Sequence, residues 1–166
     1  MWIAKNNDLI ILTASNKKEL QKNLNFMVYT TVEQTDIDYQ LINGVYMTPE
    51  EAATIREANF KKEFFEIENF GFFRKIPKGY SSAVESLNTA FNAVSILQKL
   101  PAGMLIFYQE PDYTKPEECT EEWLIEHQTT NQEMSIQEFG AFYMAFMTAW
   151  NTQMHETEAI AEVENE

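Results

Sequence analysis

Residues Phe139 to Trp150, FGAFYMAFMTAW, form the most apolar stretch of this chain, with Tyr143 and Thr148 its only hydroxyl bearers. Ser135 followed by Glu138 has the spacing of a capping box, so the stretch reads as the front of a helix. A helix that is apolar on nearly every side leaves no face for water. It is also shorter than the roughly 17–25 residues that span a bilayer. The segment is therefore expected to be the central helix of a small fold, or half of an oligomer interface. Ala141, Ala145 and Ala149, spaced by four, offer an edge where another helix can approach closely. Packing within the domain is preferred for that edge over a subunit interface.

A chain of 166 residues is long enough to bury a single respectable core. Its aromatic content, 13%, makes that core one of large flat side chains. One cysteine, Cys119, excludes an intramolecular disulfide framework and fits a reducing compartment. The N-terminus carries no basic region before its short apolar run, so no signal peptide is expected. The cytosol, or release from the cell by lysis, is the expected location. Charge is distributed unevenly: residues 1–99 carry 11 basic and 12 acidic side chains, residues 100–166 one basic and 14 acidic. Affinity for phosphate comes from Lys and Arg, so direct nucleic-acid binding is disfavoured. The acidic half is expected to serve as a solvated surface. The sharper alternative is a patch that meets a basic partner in imitation of nucleic acid.

Along the chain, Leu9–Thr13 reads as a buried strand, and Asn16 with Glu19 opens a helix with Leu20 and Leu24 on one face. Phe26 to Thr31 is β-branched and aromatic and reads as a strand. YQLI and VYM flank Asn43-Gly44, which suits the type I′ turn of a two-residue hairpin. Thr48-Pro49-Glu50-Glu51 announces a helix with an imperfect apolar period to about Glu68. Phe72–Ile76 follows as a strand, Pro77-Lys78-Gly79 as a turn, and a helix opens at Ser81 or Ser82. Val84, Leu87, Phe91, Val94 and Leu97 form the apolar stripe of that helix. Met104–Tyr108 is the strongest strand run, without alternation and so expected to be buried on both faces. Thr114 with Glu117 is read as the cap of a further helix reaching Gln128, with glutamates over most of its surface. The expected fold is α+β: a small mixed or antiparallel sheet with the 43–44 hairpin, packed on three to four helices. Residues 1–154 form one domain in this reading, with a β-rich lobe over 1–47 as a variant, and 155–166 form a flexible acidic tail.

Enzymatic readings fail in turn. The scattered glycines make no phosphate loop or dinucleotide fingerprint, and no GxSxG elbow occurs. Cys119 among glutamates is a poor nucleophile, and His127, His155 and Cys119 lack paired metal-ligand spacing. Glu110 and Asp112 are the best-placed carboxylates, yet a solvated turn explains them better than acid–base work. Lys61, Lys62, Arg74, Lys75 and Lys78 interleave with Phe64, Phe65, Phe70, Phe72, Phe73 and Tyr80, a mixture able to engage single strands. The favoured account is that the rings form core while the basic groups snorkel outward. No catalytic residue, cofactor or metal is assigned.

The runs YQLINGVYMTPEEAATIREANFKKEFFEI, FGFFRKIPKGY and MLIFYQEPDYTKPEECTEEWL resemble small proteins encoded among tail and tail-fibre genes of phages and prophages of gut bacteria. The resemblance spans roughly residues 39–125, and its motifs are turns, caps and strand exits. It implies a phage or prophage origin and carries no functional residues over. With the enzymatic readings set aside, the expected function is that of a non-enzymatic virion accessory or assembly factor that works by protein–protein contact with a phage structural protein or a host protein. No direct nucleic-acid or membrane partner is implied, and homo-oligomerisation is left open. The competing reading is an acidic anti-defence inhibitor that occupies the basic channel of a host nuclease such as a CRISPR effector. The interaction candidates are Glu117, Glu118, Glu121, Glu122 and Glu126, together with Ala141, Ala145 and Ala149.

Overall fold

The structure is a computed structural model that describes residues 1–25, 27–76 and 82–164, with side chains as far as Gln153. The expected turn at Pro77-Lys78-Gly79, together with Phe26, Tyr80 and Ser81, lies outside the described residues. The fold is α+β, with five α-helices and several small antiparallel sheets among the described residues in place of one sheet on three to four helices. The chain divides into two compact units, Met1–Arg56 and Glu57–Glu166.

In the first unit, β1 (Trp2–Asn6) and β2 (Leu9–Ala14) form a hairpin that turns at Asn7, whose φ of 56° is left-handed. Asn tolerates that conformation better than a bulkier residue does. β3 (Thr31–Gln34) pairs with the other edge of β1, giving the order β2-β1-β3. Between them lies α1 (Lys17–Leu24), capped by the Asn16 side chain accepting from the Glu19 amide. Leu20 and Leu24 pack with Ala4 as anticipated from their spacing. Residues Met27–Thr30 are not a strand: the Met27 amide closes the end of α1 by donating to the Leu24 carbonyl, and Val28 is exposed. β-propensity reflects a surface to pack against, and these residues have none. The 43–44 hairpin forms as expected from β4 (Gln40–Ile42) and β5 (Val45–Met47), with φ of 50° at Asn43 and 80° at Gly44. The capping box also forms: the Glu51 amide donates to Thr48 Oγ1, and the Thr48 amide donates to Glu51 Oε2.

The helix thus opened, α2 (Pro49–Glu63), stops five residues before the expected Glu68. Phe64 and Ile67, read from their spacing as helical, lie instead on β6 (Phe64–Ile67), paired with β7 (Gly71–Arg74). The stop has its cause outside the helix. Lys75, just past β7, reaches two carbonyls at the end of α2. Its amide donates to Glu63 O at 2.8 Å and its ammonium to Lys61 O at 3.0 Å. A cation there also complements the negative end of the helix dipole. Burial pushes the Lys75 ammonium below its usual pKa. On the outer edge of β6, the Gln153 side-chain amide donates to Glu66 O and accepts from Glu66 N, at 2.8 and 3.1 Å.

α3 (Ala83–Leu97) begins at Ser82, whose hydroxyl accepts from the Glu85 amide. Its buried stripe is Ala83, Leu87, Ala90 and Val94, so Phe91 and Leu97, expected in the stripe, are half-exposed. β8 (Lys99–Leu100) pairs with β11 (Met134–Ser135), and β9 (Ile106–Phe107) with β10 (Thr129–Thr130). Met104–Tyr108 therefore yields two strand residues plus a bridge from Tyr108 to Phe72. Burial alternates along it: Leu105 and Phe107 are buried, Ile106 and Tyr108 half-buried, contrary to the two-sided burial expected. The pairing is cut short because Asn131 claims the local peptide groups. Its Oδ1 accepts from Leu105 N at 2.8 Å, and its Nδ2 donates to Pro101 O and Gln132 O, both at 2.9 Å.

The helix expected over 114–128 is broken in two, a 3-10 turn at Pro116–Glu118 and α4 (Glu121–Glu126). Thr114 does not cap it: its hydroxyl and amide both donate to Asp112 Oδ1. Thr120 caps α4 instead, accepting from the Trp123 amide. α5 (Ile136–Glu164) starts with the anticipated Ser135–Glu138 box. Its backbone stays helical through Glu164, past the residue-155 boundary set for an acidic tail. Phe139, Phe142, Phe146 and Ala149 enter the main core with Phe65, Phe73, Leu87 and Leu105. The Phe146 ring meets Phe65 and Phe73 edge-on, with centroids 5.4 and 5.5 Å away. The helix is central, but it is not enclosed on every side. Gly140, Ala141, Met144 and Thr148 face outward.

Candidate contact surfaces

The acidic segment around α4 is partly consumed by the fold. Arg74 lies over the rings of Phe64 and Tyr108, with only 12% of its side chain exposed. Its Nη1 and Nη2 donate to the two oxygens of Glu121 at 2.7 and 3.1 Å, and Nη2 also reaches Glu63. Hydrogen bonding to Glu121 holds the guanidinium firmly protonated. Glu118 pairs with Lys115 at 3.5 Å. Of the five glutamates named from the sequence, Glu117, Glu122 and Glu126 are exposed, while Glu118 and Glu121 are half-buried and engaged. They do not present one uninterrupted acidic face.

Four rings of the basic–aromatic cluster are likewise internal, while Lys61 and Lys62 are exposed. Phe64, Phe65, Phe72 and Phe73 are buried, Lys75 is buried beside the end of α2, Arg74 is paired, and Lys61 binds Glu57 at 2.6 Å. A surface made for stacking bases would expose those rings. Cys119 sits half-buried after the 3-10 turn, its thiol 3.7 Å from Asp112 O. His127 stacks on Trp123 at 4.1 Å, with Nδ1 donating to the Trp123 carbonyl. Asp112 is a solvated turn residue, and its two Thr114 hydrogen bonds hold its carboxyl below the ordinary range. Among the described residues, no three His, Cys, Asp or Glu side chains converge where a metal could sit. No helix of the described residues is long and apolar enough to cross a membrane.

The three alanines do not share one environment. Ala141 is exposed, Ala145 half-buried against the main core, and Ala149 buried within it. Positions four apart drift around a helix by roughly 40° at each step. The edge they were expected to make therefore winds from solvent into the core.

A different surface lies beside it. Between α3 and α5 runs an open groove of about 470 Å³, lined chiefly by Phe91, Val94, Ile136, Phe139, Tyr143 and Met144. Phe91 is 50%, Ile136 49% and Met144 66% exposed, although all are large and apolar. Ser95, Gln98 and Tyr143 carry the polar side-chain groups in its wall, which holds no carboxylate, lysine, histidine or cysteine. Phe91 contacts Tyr143 across it, with ring centroids 5.8 Å apart. Sequence reasoning missed this site because it assigned Phe91 to the core stripe and the whole aromatic helix to the interior. A signal was present: neither Ser86–Gln98 nor Phe139–Gln153 contains a charged residue. A helix with one face in water normally carries charge on that face. No protein-family model matches the chain, and neither does any curated protein or solved structure.

Proposed function

We propose that the chain is non-enzymatic and works by protein–protein contact through the α3–α5 groove. The observation that carries this reading is the uncharged apolar groove itself, with Phe91, Ile136 and Met144 held in solvent. Its volume is in the range of small-molecule sites, but it lacks the convergent polar groups that orient a substrate. Depletion of charge with enrichment of aromatic residues and methionine is the composition of an interface centre. Taken with the resemblance to phage tail-region proteins, the reading is a virion accessory or assembly factor, present in the host cytoplasm or carried in the virion.

The test is co-purification of the tagged chain from phage-producing cells, with Phe91→Glu alongside. A stoichiometric partner, either a phage structural protein or another copy of the chain, is expected with the wild type and lost with the variant. Equal and partnerless behaviour of both proteins would overturn the reading.

A further inference from the structure

We propose that the partner at this groove is a second copy of the chain, related by a two-fold axis that packs α5 against α5. The inference rests on reading the groove as a contact surface and names what fills it.

Three observations favour a second copy. The first is charge. The protein carries a net charge of −14, so most approaches of one copy to another bring carboxylates together. Ser86–Gln98 and Phe139–Gln153 carry none, and on this face two copies meet without that repulsion. A basic partner would find no counter-charge in the groove wall.

The second is shape. Met144 lines the groove and is nonetheless 66% exposed. A two-fold operation sets the Met144 of each copy into the groove of the other, the reciprocal contact that an isologous interface requires. The unbranched thioether adapts readily to such a slot. From Ile136 to Asn151, α5 is roughly 22 Å long, and with α3 the face is two helices, roughly 20 Å, across. Those dimensions suit the smaller stable interfaces, about 600 Å² per partner.

The third is Gly140. It sits inside α5 one turn before Met144, exposed, where glycine weakens a helix relative to alanine. A Cβ built there meets nothing within 4 Å, so packing within the chain gives no reason for its absence. A second helix crossing at Gly140 does, because the missing side chain lets two backbones approach.

Sedimentation equilibrium of the full chain over micromolar to millimolar concentration tests this. The wild type is expected to dimerise, and Met144→Glu to weaken the dimer at least tenfold. Ile96→Glu serves as control. Ile96 is 80% exposed and lies roughly 140° around α3 from Phe91, so this variant should dimerise like the wild type. Gly140→Ala should move two readouts in opposite directions. It weakens the dimer several-fold while raising the thermal midpoint of the dissociated chain by about 2 °C. A wild type that stays monomeric at millimolar concentration overturns the proposal, as does a dimer indifferent to Met144→Glu. A monomer that nevertheless captures a phage structural protein through Phe91 overturns self-association alone and leaves the contact-surface reading standing.

Discussion

Arg74 and Glu121 meet end to end, two guanidinium nitrogens on two carboxylate oxygens at 2.7 and 3.1 Å, joining β7 to α4. The geometry is the bidentate one that Arg makes and Lys does not. Glu121→Gln keeps the shape and removes the charge, leaving Arg74 over its two rings with Glu63 as a weaker neighbour. Because Glu121 is partly in solvent, the expected loss is about 1–2 kcal/mol, between a surface pair and a buried one. Urea unfolding measures it, and the loss should shrink in high salt.

Asn131 stands in for strand pairing over Pro101 to Leu105, a loop with no regular ladder of its own. Asn131→Ala removes one acceptor and two donations at a buried position and should cost about 2–3 kcal/mol. Hydrogen exchange locates the damage: the Leu105 amide, which donates to Asn131 Oδ1, should lose its protection before the β6–β7 ladder does.

Phe146 is fully buried, with rings of Phe65, Phe73 and Trp150 about it. Phe146→Ala should cost about 3–5 kcal/mol through lost transfer energy and a residual cavity. Met144→Ala, two positions earlier on the exposed face, should stay within about 0.5 kcal/mol in the dissociated chain. Denaturant midpoints of the two variants at low protein concentration make the comparison.

The Asp112 turn sets a pH dependence. Hydrogen bonds from the Thr114 hydroxyl and amide favour the carboxylate, so its pKa in the folded chain lies below the usual value of 3.8. Its contribution to stability is complete above 3.8 and is lost as pH falls through the lowered folded value. In Thr114→Val the hydroxyl bond is gone, and the Asp112 carboxyl titration, followed by NMR, should move up toward the ordinary range.

The legible parts of this fold are those decided within a few residues. The Thr48–Glu51 and Ser135–Glu138 boxes, the Asn16 cap and the Asn43-Gly44 turn depend on one side chain and the peptide groups beside it. The misread parts depend on partners far away in sequence. Phe64 and Ile67 keep a helical spacing from Phe60, and only Lys75 at the helix end and β7 alongside turn them into a strand. The run at Met104–Tyr108 was shortened by a residue 26 positions later, Asn131. The groove was misread for a related reason. Apolar content says that a segment avoids water on average, whereas exposure at Phe91 and Met144 depends on what the rest of the chain leaves uncovered.

Gln153 gives the two-stranded β6–β7 sheet something it otherwise lacks. By donating to Glu66 O and accepting from Glu66 N, its side-chain amide presents to the strand edge the same donor and acceptor pair that a neighbouring strand would. An open edge beside the aromatic run FFEI is the kind of template on which chains stack into aggregates. A single side chain on α5 occupies that edge at Glu66, so the helix that organises the core also withholds those two peptide groups from a strand of another chain.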